Sequence, residues 1–576
     1  WVAHDQTKDA LRAAETYLAV AVIGGMVMLM GLFLLYYALG TLKITEIGPA
    51  AEAFLKEGQS YKNIANKERY LLTASILISF GFAAKAGIFP LHIWLPKAHP
   101  VAPAPASALL SGMLTKCGIF GMLLVSTQLM SLRCLLGGES GTVAQVYSDF
   151  SFYGNLCLFL GTVTMLLGAL LGIFSVDLKR TLACSSVSQI GFITFGIGVM
   201  VLLEEEGTMA LYATVSHMVN HSLFKLVLFC IAGIVYMKGH SLNLNDIRGL
   251  GRRHPVFSAA FALGGLGLAG VPGTGGFISK SLLHESLLEY IEKLKIEGST
   301  GSLGYYKAIE VVFLISGGLT LAYMLKLFVA IFLEKDARHD KKGDLCSPVT
   351  AAFVCAPAVL ILILGICPGK TFGLIGKAAA KMLMPNATAE VNFYTWITSG
   401  WLSGENLKGA AISACIGLFV YFVIVRKLLL VPVKKKHTEY IDVLPKWLDL
   451  ENTVYRPVLL GFLAFVCAFV CRICDCMVDG IVNVLKKTVL SPRKHKMSIW
   501  VGTRLTHMVG SFLDKVVGLF NRTVFRRNPI KKSFVSILAV SETEAKQTFA
   551  LIIGSVSFGL LLAALGLVIT LMYILL

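Results

Sequence analysis

The chain has 576 residues, of which 56% are hydrophobic and only 15% charged, and its formal net charge is +18. Soluble domains carry about 25% charged residues, so this composition, with a mean hydropathy of +0.72, excludes an ordinary soluble enzyme. In a soluble chain the surplus of cations would point to nucleic acid. Here much of it sits in loops such as 248–253 and in the tail after Arg426. Positive-inside topology and anionic lipid headgroups account for it there, and nucleic acid is not an expected partner.

From the N-terminus, apolar runs recur at 17–42, 152–174, 256–271, 308–333, 349–367, 410–425 and 548–576. Many approach or exceed the ~20 residues that cross a bilayer as a helix. About twelve or thirteen spans are expected, in an all-α, polytopic protein of a multi-pass membrane. A β-barrel would show short alternating strands, and none appear. The chain opens on Trp1, and its first span follows an amphipathic lead-in over 4–15, so an N-terminal part is expected to be missing. The thirteen cysteines are mostly scattered singly through apolar runs, as small core residues rather than disulfides.

The stretch 81–120 carries Lys85 and Lys116 inside an apolar run and prolines at Pro90 and Pro96, both read as helix breaks. An ionisable group at bilayer depth costs at least ~2.5–3.5 kcal/mol even on lenient scales, so it faces protein or water. A break exposes backbone, tolerated at that depth only beside protein or a water-filled cavity. Lysine plus break therefore predicts a hydrated pocket. The same argument covers Pro272, Gly273 and Lys280 in the stretch 268–280. Between them lie His217, His221 and Lys225, four residues apart and so stacked on one helix face. Histidine titrates near neutrality, and a lysine taken out of water holds its proton less tightly. Bridged by water, such a file can pass protons. Two histidines at this spacing could also hold a metal, but the further ligands zinc requires are absent nearby, and neither metal nor cofactor is expected. Lys326, near a span end, reads as a lysine snorkelling to the interface.

Residues 1–430 read as a transmembrane domain of spans joined by short loops. Residues 431–576 read as a basic, amphipathic extension ending in one convincing span. Its stretch 477–534 has the character of an interfacial helix, which Pro492 and Pro529 would interrupt. Cys467, Cys471, Cys474 and Cys476 include a spacing used by iron–sulfur enzymes, but such a cluster needs an open loop. These lie in a run that reads as helix, so plain packing is expected.

Four stretches carry a family resemblance: "KAGIFPLHIWLPKAHPVAPAPASALL", "FSVDLKRTLACSSVSQIGF", "SHMVNHSLFKLVLF" and "LAGVPGTGGFISK". With them the chain resembles the antiporter-like subunits shared by respiratory complex I, group 4 membrane-bound hydrogenases and multisubunit sodium/proton antiporters. The resemblance covers about 16–378 well. The tail resembles, more loosely, larger members that carry a lateral helix and a last anchoring span. It implies two inverted five-helix repeats, each with one broken helix, around a central line of charge. It also implies ion translocation driven by electron transfer in peripheral partners, other membrane subunits (sister antiporter-like subunits among them) beside this one, and a prokaryotic cell membrane.

Residue by residue, Lys85 matches the lysine of the first broken helix, Lys116 that of the next helix, His217, His221 and Lys225 the central polar groups, and Lys280 the lysine of the second broken helix. Asp177 and Lys179 match a polar loop read as structural. Gln189 stands where many members have histidine. The glutamate that pairs with the first lysine is expected upstream of this chain, Glu15 being no convincing substitute; the first repeat is then incomplete. A proton-translocating subunit is the expected function, with no catalysis by this chain alone. A sodium/proton antiporter module and a non-conducting structural subunit are the alternatives.

Overall fold

The structure, a computed structural model, describes residues 1–56, 61–130, 147–298, 300–335, 347–384, 401–434, 437–443, 451–455, 457–488, 502–526, 528–549 and 566. These fall into two compact units, Trp1–Ala464 and Phe465–Leu576.

The first unit is a helical bundle, as its long apolar runs demand: in hydrocarbon a helix satisfies its own backbone. Helix α1 is Lys8–Leu39, α2 Ile44–Lys56 and α3 Tyr61–Ala86. The short helices α4 (Trp94–Val101) and α5 (Ala104–Leu109) follow, then a π-helical turn at Leu110–Leu114 and α6, Thr115–Gln128. The core is made by α7 (Tyr147–Phe174), α8 (Leu178–Leu203) and α9 (Thr208–Gly239). The apolar window of α8 is 100% buried against 22% for α1, which puts α8 at the centre of the bundle and α1 on its rim. Beyond lie α10 (Pro255–Ala269), α11 (Gly275–Ile296), α12 (Leu303–Phe328), α13 (Pro348–Ile366), α14 (Pro368–Leu383) and α15 (Gly404–Val420).

Ten helical segments among the described residues are long and apolar enough to cross a membrane, fewer than the sequence suggests. One reason is that the run at 256–271 ends in α10, only 15 residues long. Another is that the apolar stretch 548–576 lies almost wholly outside the described residues.

Both predicted breaks are present. After α3 the chain leaves the helix at Gly87 (φ 82°) and passes Pro90 into a single 3-10 turn, Leu91–Ile93. After α10 it leaves at Gly270 (φ 80°), passes Pro272 and Gly273 (φ 90°), and restarts at Gly275. Glycine adopts these left-handed angles without the Cβ penalty. Pro96 is a correction: it does not break a helix but occupies the third position of α4. In a first turn the missing N–H has no intrahelical partner to lose.

A hairpin, β1 (Leu430–Lys434) with β2 (His437–Tyr440), is tied through one polar knot to Glu334, which follows α12. Glu334 accepts from Arg426 at 2.8 Å and from the Tyr440 hydroxyl at 3.0 Å, and pairs with Arg248 at 3.1 Å. Arg248, counted above with the loop cations, is thus an anchored side chain that is 7% exposed.

In the second unit, α16 starts at Ala464 and runs to Thr488, α17 is Arg504–Thr523, and α18 spans 534–549. The segment Gly461–Val484 is itself apolar and long enough to span. The chain turns between α17 and α18. Asp514 accepts the Phe534 backbone N–H at 2.6 Å and the Ser533 hydroxyl at 2.7 Å, and these bonds hold its carboxyl below the usual range. Pro529 lies in that turn, whereas Pro492 is outside the described residues. The four cysteines of α16 are on a helix, as expected, but all are exposed, so they are not packing groups of a core.

Candidate functional site

The site is built on α9. His217, His221 and Lys225 repeat every four residues, so they share one face, and each is fully buried. Helix α8 packs along that face and presents small polar groups at the same interval. Lys225 donates to the Leu182 carbonyl at 2.7 Å and to the Ser185 hydroxyl. One turn further along α8, Gln189 Oε1 lies 3.1 Å from His217 Nε2. On the other side of the ring, His217 Nδ1 lies 2.9 Å from Ser279 Oγ, which in turn accepts from Asn220 at 3.1 Å. With Gln189 as acceptor the bonds fit one neutral tautomer: Nε2–H donates to Gln189, and Nδ1 accepts from Ser279. The neutral Gln189 therefore orients His217 rather than replacing it.

Lys116 and Lys280 flank this face. Lys116, on α6, turns its ammonium back onto the Ser111 carbonyl in the π-helical turn. Such a turn misaligns the helical ladder and leaves carbonyls open to side chains; Ser222 of α9 donates to another of them, Gly112, at 2.6 Å. The Ser111 and Ser186 hydroxyls, 2.7 Å apart, join α5–α6 to α8. Lys280 reaches back across the second break to the Leu268 carbonyl at 2.8 Å and the Ala269 carbonyl at 3.5 Å. These are the last carbonyls of α10, the negative end of its dipole, where a cation is stabilised. The face of Phe192 lies 4.5 Å from the same ammonium.

His221 sits among these groups, where the charges of Lys116, Lys225 and Lys280 act on it. Neither ring nitrogen has a hydrogen-bond partner among the described residues, although both are buried. Lys85 stands apart. At the C-terminal turn of α3 its ammonium donates to the Tyr17 hydroxyl at 3.2 Å and faces a cavity of ≈ 230 Å³ between α1, α3 and Trp94. Among the described residues it forms no ion pair with a carboxylate. Glu15 is exposed on α1.

Lys326 is a correction. It does not snorkel: it is 2% exposed and donates to the carbonyls of Gly172, Ile173 and Ser175 at 3.0, 2.6 and 2.7 Å, sealing the C-terminal end of α7. Lys326→Ala leaves three buried carbonyls without their donor and is expected to destabilise the protein by about 2–4 kcal/mol. A lowered unfolding midpoint in detergent is the readout; a snorkelling lysine would leave it unmoved.

Residues 2–295 match the family described as "NADH:quinone oxidoreductase/Mrp antiporter, TM". The chain belongs to that family. It is 28% identical over 367 residues to Hydrogenase-4 component B of Escherichia coli (strain K12), covering 62% of this chain and 50% of that one. It is 30% identical over 372 residues to NAD(P)H-quinone oxidoreductase chain 4 1 of Synechococcus sp. (strain JA-3-3Ab), covering 62% and 63%. The chain thus spans about half to two-thirds of these curated relatives' length. A chain of the Mrp complex from Dietzia sp. DQ12-45-1b shares the fold, with a TM-score of 0.52 and 23% identity over 66% of this chain and 70% of that one. The protein is therefore an antiporter-like, multi-pass membrane subunit of the complex I, hydrogenase and Mrp family.

For this family member the structure adds groups the sequence did not single out. Ser185 accepts from Lys225, Ser279 bonds His217 and Asn220, and Ser186 pairs with Ser111, yet serine and asparagine at helix spacing carry no signal until the facing helix is known. His99 of α4 is fully buried, stacks on Phe229 at 4.8 Å, and has no hydrogen-bond partner for either nitrogen among the described residues. Its charged neighbours are Lys225, Lys179 and Lys116. It lies in the quoted motif stretch, where the prolines around it drew the attention. Lys179 donates to the Ala102 carbonyl at 2.9 Å, and Asp177 caps α8 through the Arg180 N–H at 2.7 Å. Both are structural contacts. Among the described residues no group of three or more His, Cys, Asp or Glu side chains is placed to hold a metal.

Proposed function

We propose that this chain is a proton-translocating subunit of a redox-driven membrane complex, in which protons pass along the buried groups Lys116, His221, His217, Lys225 and Lys280. The observation that carries the reading is His221: a fully buried imidazole with no hydrogen-bond partner among the described residues, set among lysines, in the middle of the polar face. A buried polar group without a protein partner is satisfied by water, and imidazole plus water is a proton carrier. Lys85, outside the file, is the group that senses charge in its surroundings. When an anion approaches or leaves it, the proton occupancy of the next lysine, Lys116, changes by Coulomb's law. Other membrane subunits, including sister antiporter-like ones, supply those charges, and peripheral electron-transfer subunits act indirectly. The chain itself carries out no redox chemistry in this reading, with residues 1–430 as the conducting domain and 431–576 as the extension.

Sodium transfer would call for oxygen ligands, and the side chains of the file are cations, imidazoles and their neutral partners. Dye-reported lumen acidification by vesicles holding the native complex is expected to be the same with and without sodium. Acidification that requires sodium would move the assignment to an antiporter module.

A further inference from the structure

Beyond Lys280 the file has no assigned continuation, and the structure offers one. A cavity of ≈ 100 Å³ opens beside Lys280, between α11, α12, α15 and the break at Gly270–Pro272. Its polar lining is Lys280, Ser281, His284, Asn406 and Ser413. His284 follows Lys280 by four residues, so it stands one turn further along the same face of α11. Its Nε2 lies 3.2 Å from Glu310 Oε1 on α12, and its ring stacks on Phe313 at 5.6 Å. The two side chains are 12% and 26% exposed, whereas Lys280 is 7% exposed. Lys280 is buried while His284 and Glu310 are partly exposed, and the cavity touches both basic groups. Glu285, next to His284 on α11, is engaged by Asn406 at 3.2 Å.

We propose that His284 and Glu310 form the proton-exchange pair through which Lys280 communicates with one side of the membrane; this rests on the proton-transfer reading above. The Lys280 N–H bond breaks, and the proton crosses the cavity to the free Nδ1 of the neutral imidazole. The imidazolium is held by the Glu310 carboxylate at Nε2, and the pair then gives one proton to water outside. Lys280 is left neutral and His284 returns to its starting charge, so one proton has moved and nothing is oxidised or reduced. The pair lies toward the α11–α12 connection, the end of α12 opposite Lys326.

The test uses the native complex in vesicles and reads protons delivered per electron transferred, normalised to assembled complex. Glu310→Gln and His284→Ala are expected to lower that ratio by an order of magnitude or more while electron transfer continues. Glu310→Asp restores it in part, and free imidazole in the buffer restores His284→Ala. Lys280→Ala is the control arm. If it abolishes delivery while both pair variants deliver normally, the exchange pair is wrong and the proton-transfer reading stands. If the pair variants lose delivery but neither aspartate nor imidazole restores any, the pair is structural and the proposal is overturned. If Lys280→Ala delivers normally, the reading itself fails and the pair falls with it.

Discussion

Gly276→Val is expected to prevent the second half of the bundle from closing. A Cβ at Gly276 would stand 1.8 Å from the Gly267 carbonyl oxygen and 2.8 Å from its carbon, both backbone atoms that cannot swing aside. The two halves of the broken helix touch at this point, and α9's Phe224 ring lies 3.2 Å away on the remaining side. Relief requires α10 and α11 to separate, which withdraws Lys280 from the Leu268 and Ala269 carbonyls as well. Overpacking of this kind costs about 3 kcal/mol or more where backbone must move. The expected outcome is loss of folded, assembled subunit, measured as its content in the purified complex. Normal content would show that the halves are not in contact as described.

His221→Leu is expected to separate conduction from stability. Histidine and leucine are similar in volume, and this imidazole makes no hydrogen bond among the described residues that leucine would forfeit. Replacing a buried polar group by an apolar one of like shape is commonly neutral or stabilising. The unfolding midpoint should therefore stay within about 1 kcal/mol of wild type or rise. Proton delivery should nevertheless fall by an order of magnitude or more, because the step between Lys116 and His217 loses its carrier. A variant that is stable and still conducts would remove His221 from the path.

The bundle, its two breaks and the charged residues were legible in the sequence because membrane depth makes them costly: every lysine and proline in an apolar run must have a compensating contact. Lys85, Lys116, Lys280 and the His217–His221–Lys225 repeat stand out for that reason. What the sequence did not show depends on the facing helix. Gln189 stood out only as a departure from the family pattern, and its place against His217 follows from how α8 packs on α9. Lys326 read as an interfacial lysine because span ends cannot be located to within a turn from hydropathy, and its partners come from α7, about 150 residues earlier in the chain. Pro96 read as a break because a proline's effect depends on where the helix starts. His284 and Glu310, on separate helices, showed nothing of their pairing in the linear order.

The central claim is that protons pass through this chain and leave by way of Lys280. The most direct measurement compares lumen acidification by vesicles holding the native complex with wild-type chain or Lys280→Ala, in sodium-free medium at matched electron-transfer turnover. Acidification that collapses in the variant, with assembly intact, is the predicted result. Equal acidification in both would contradict the account and leave this chain a structural subunit whose buried lysines only hold helix ends in place.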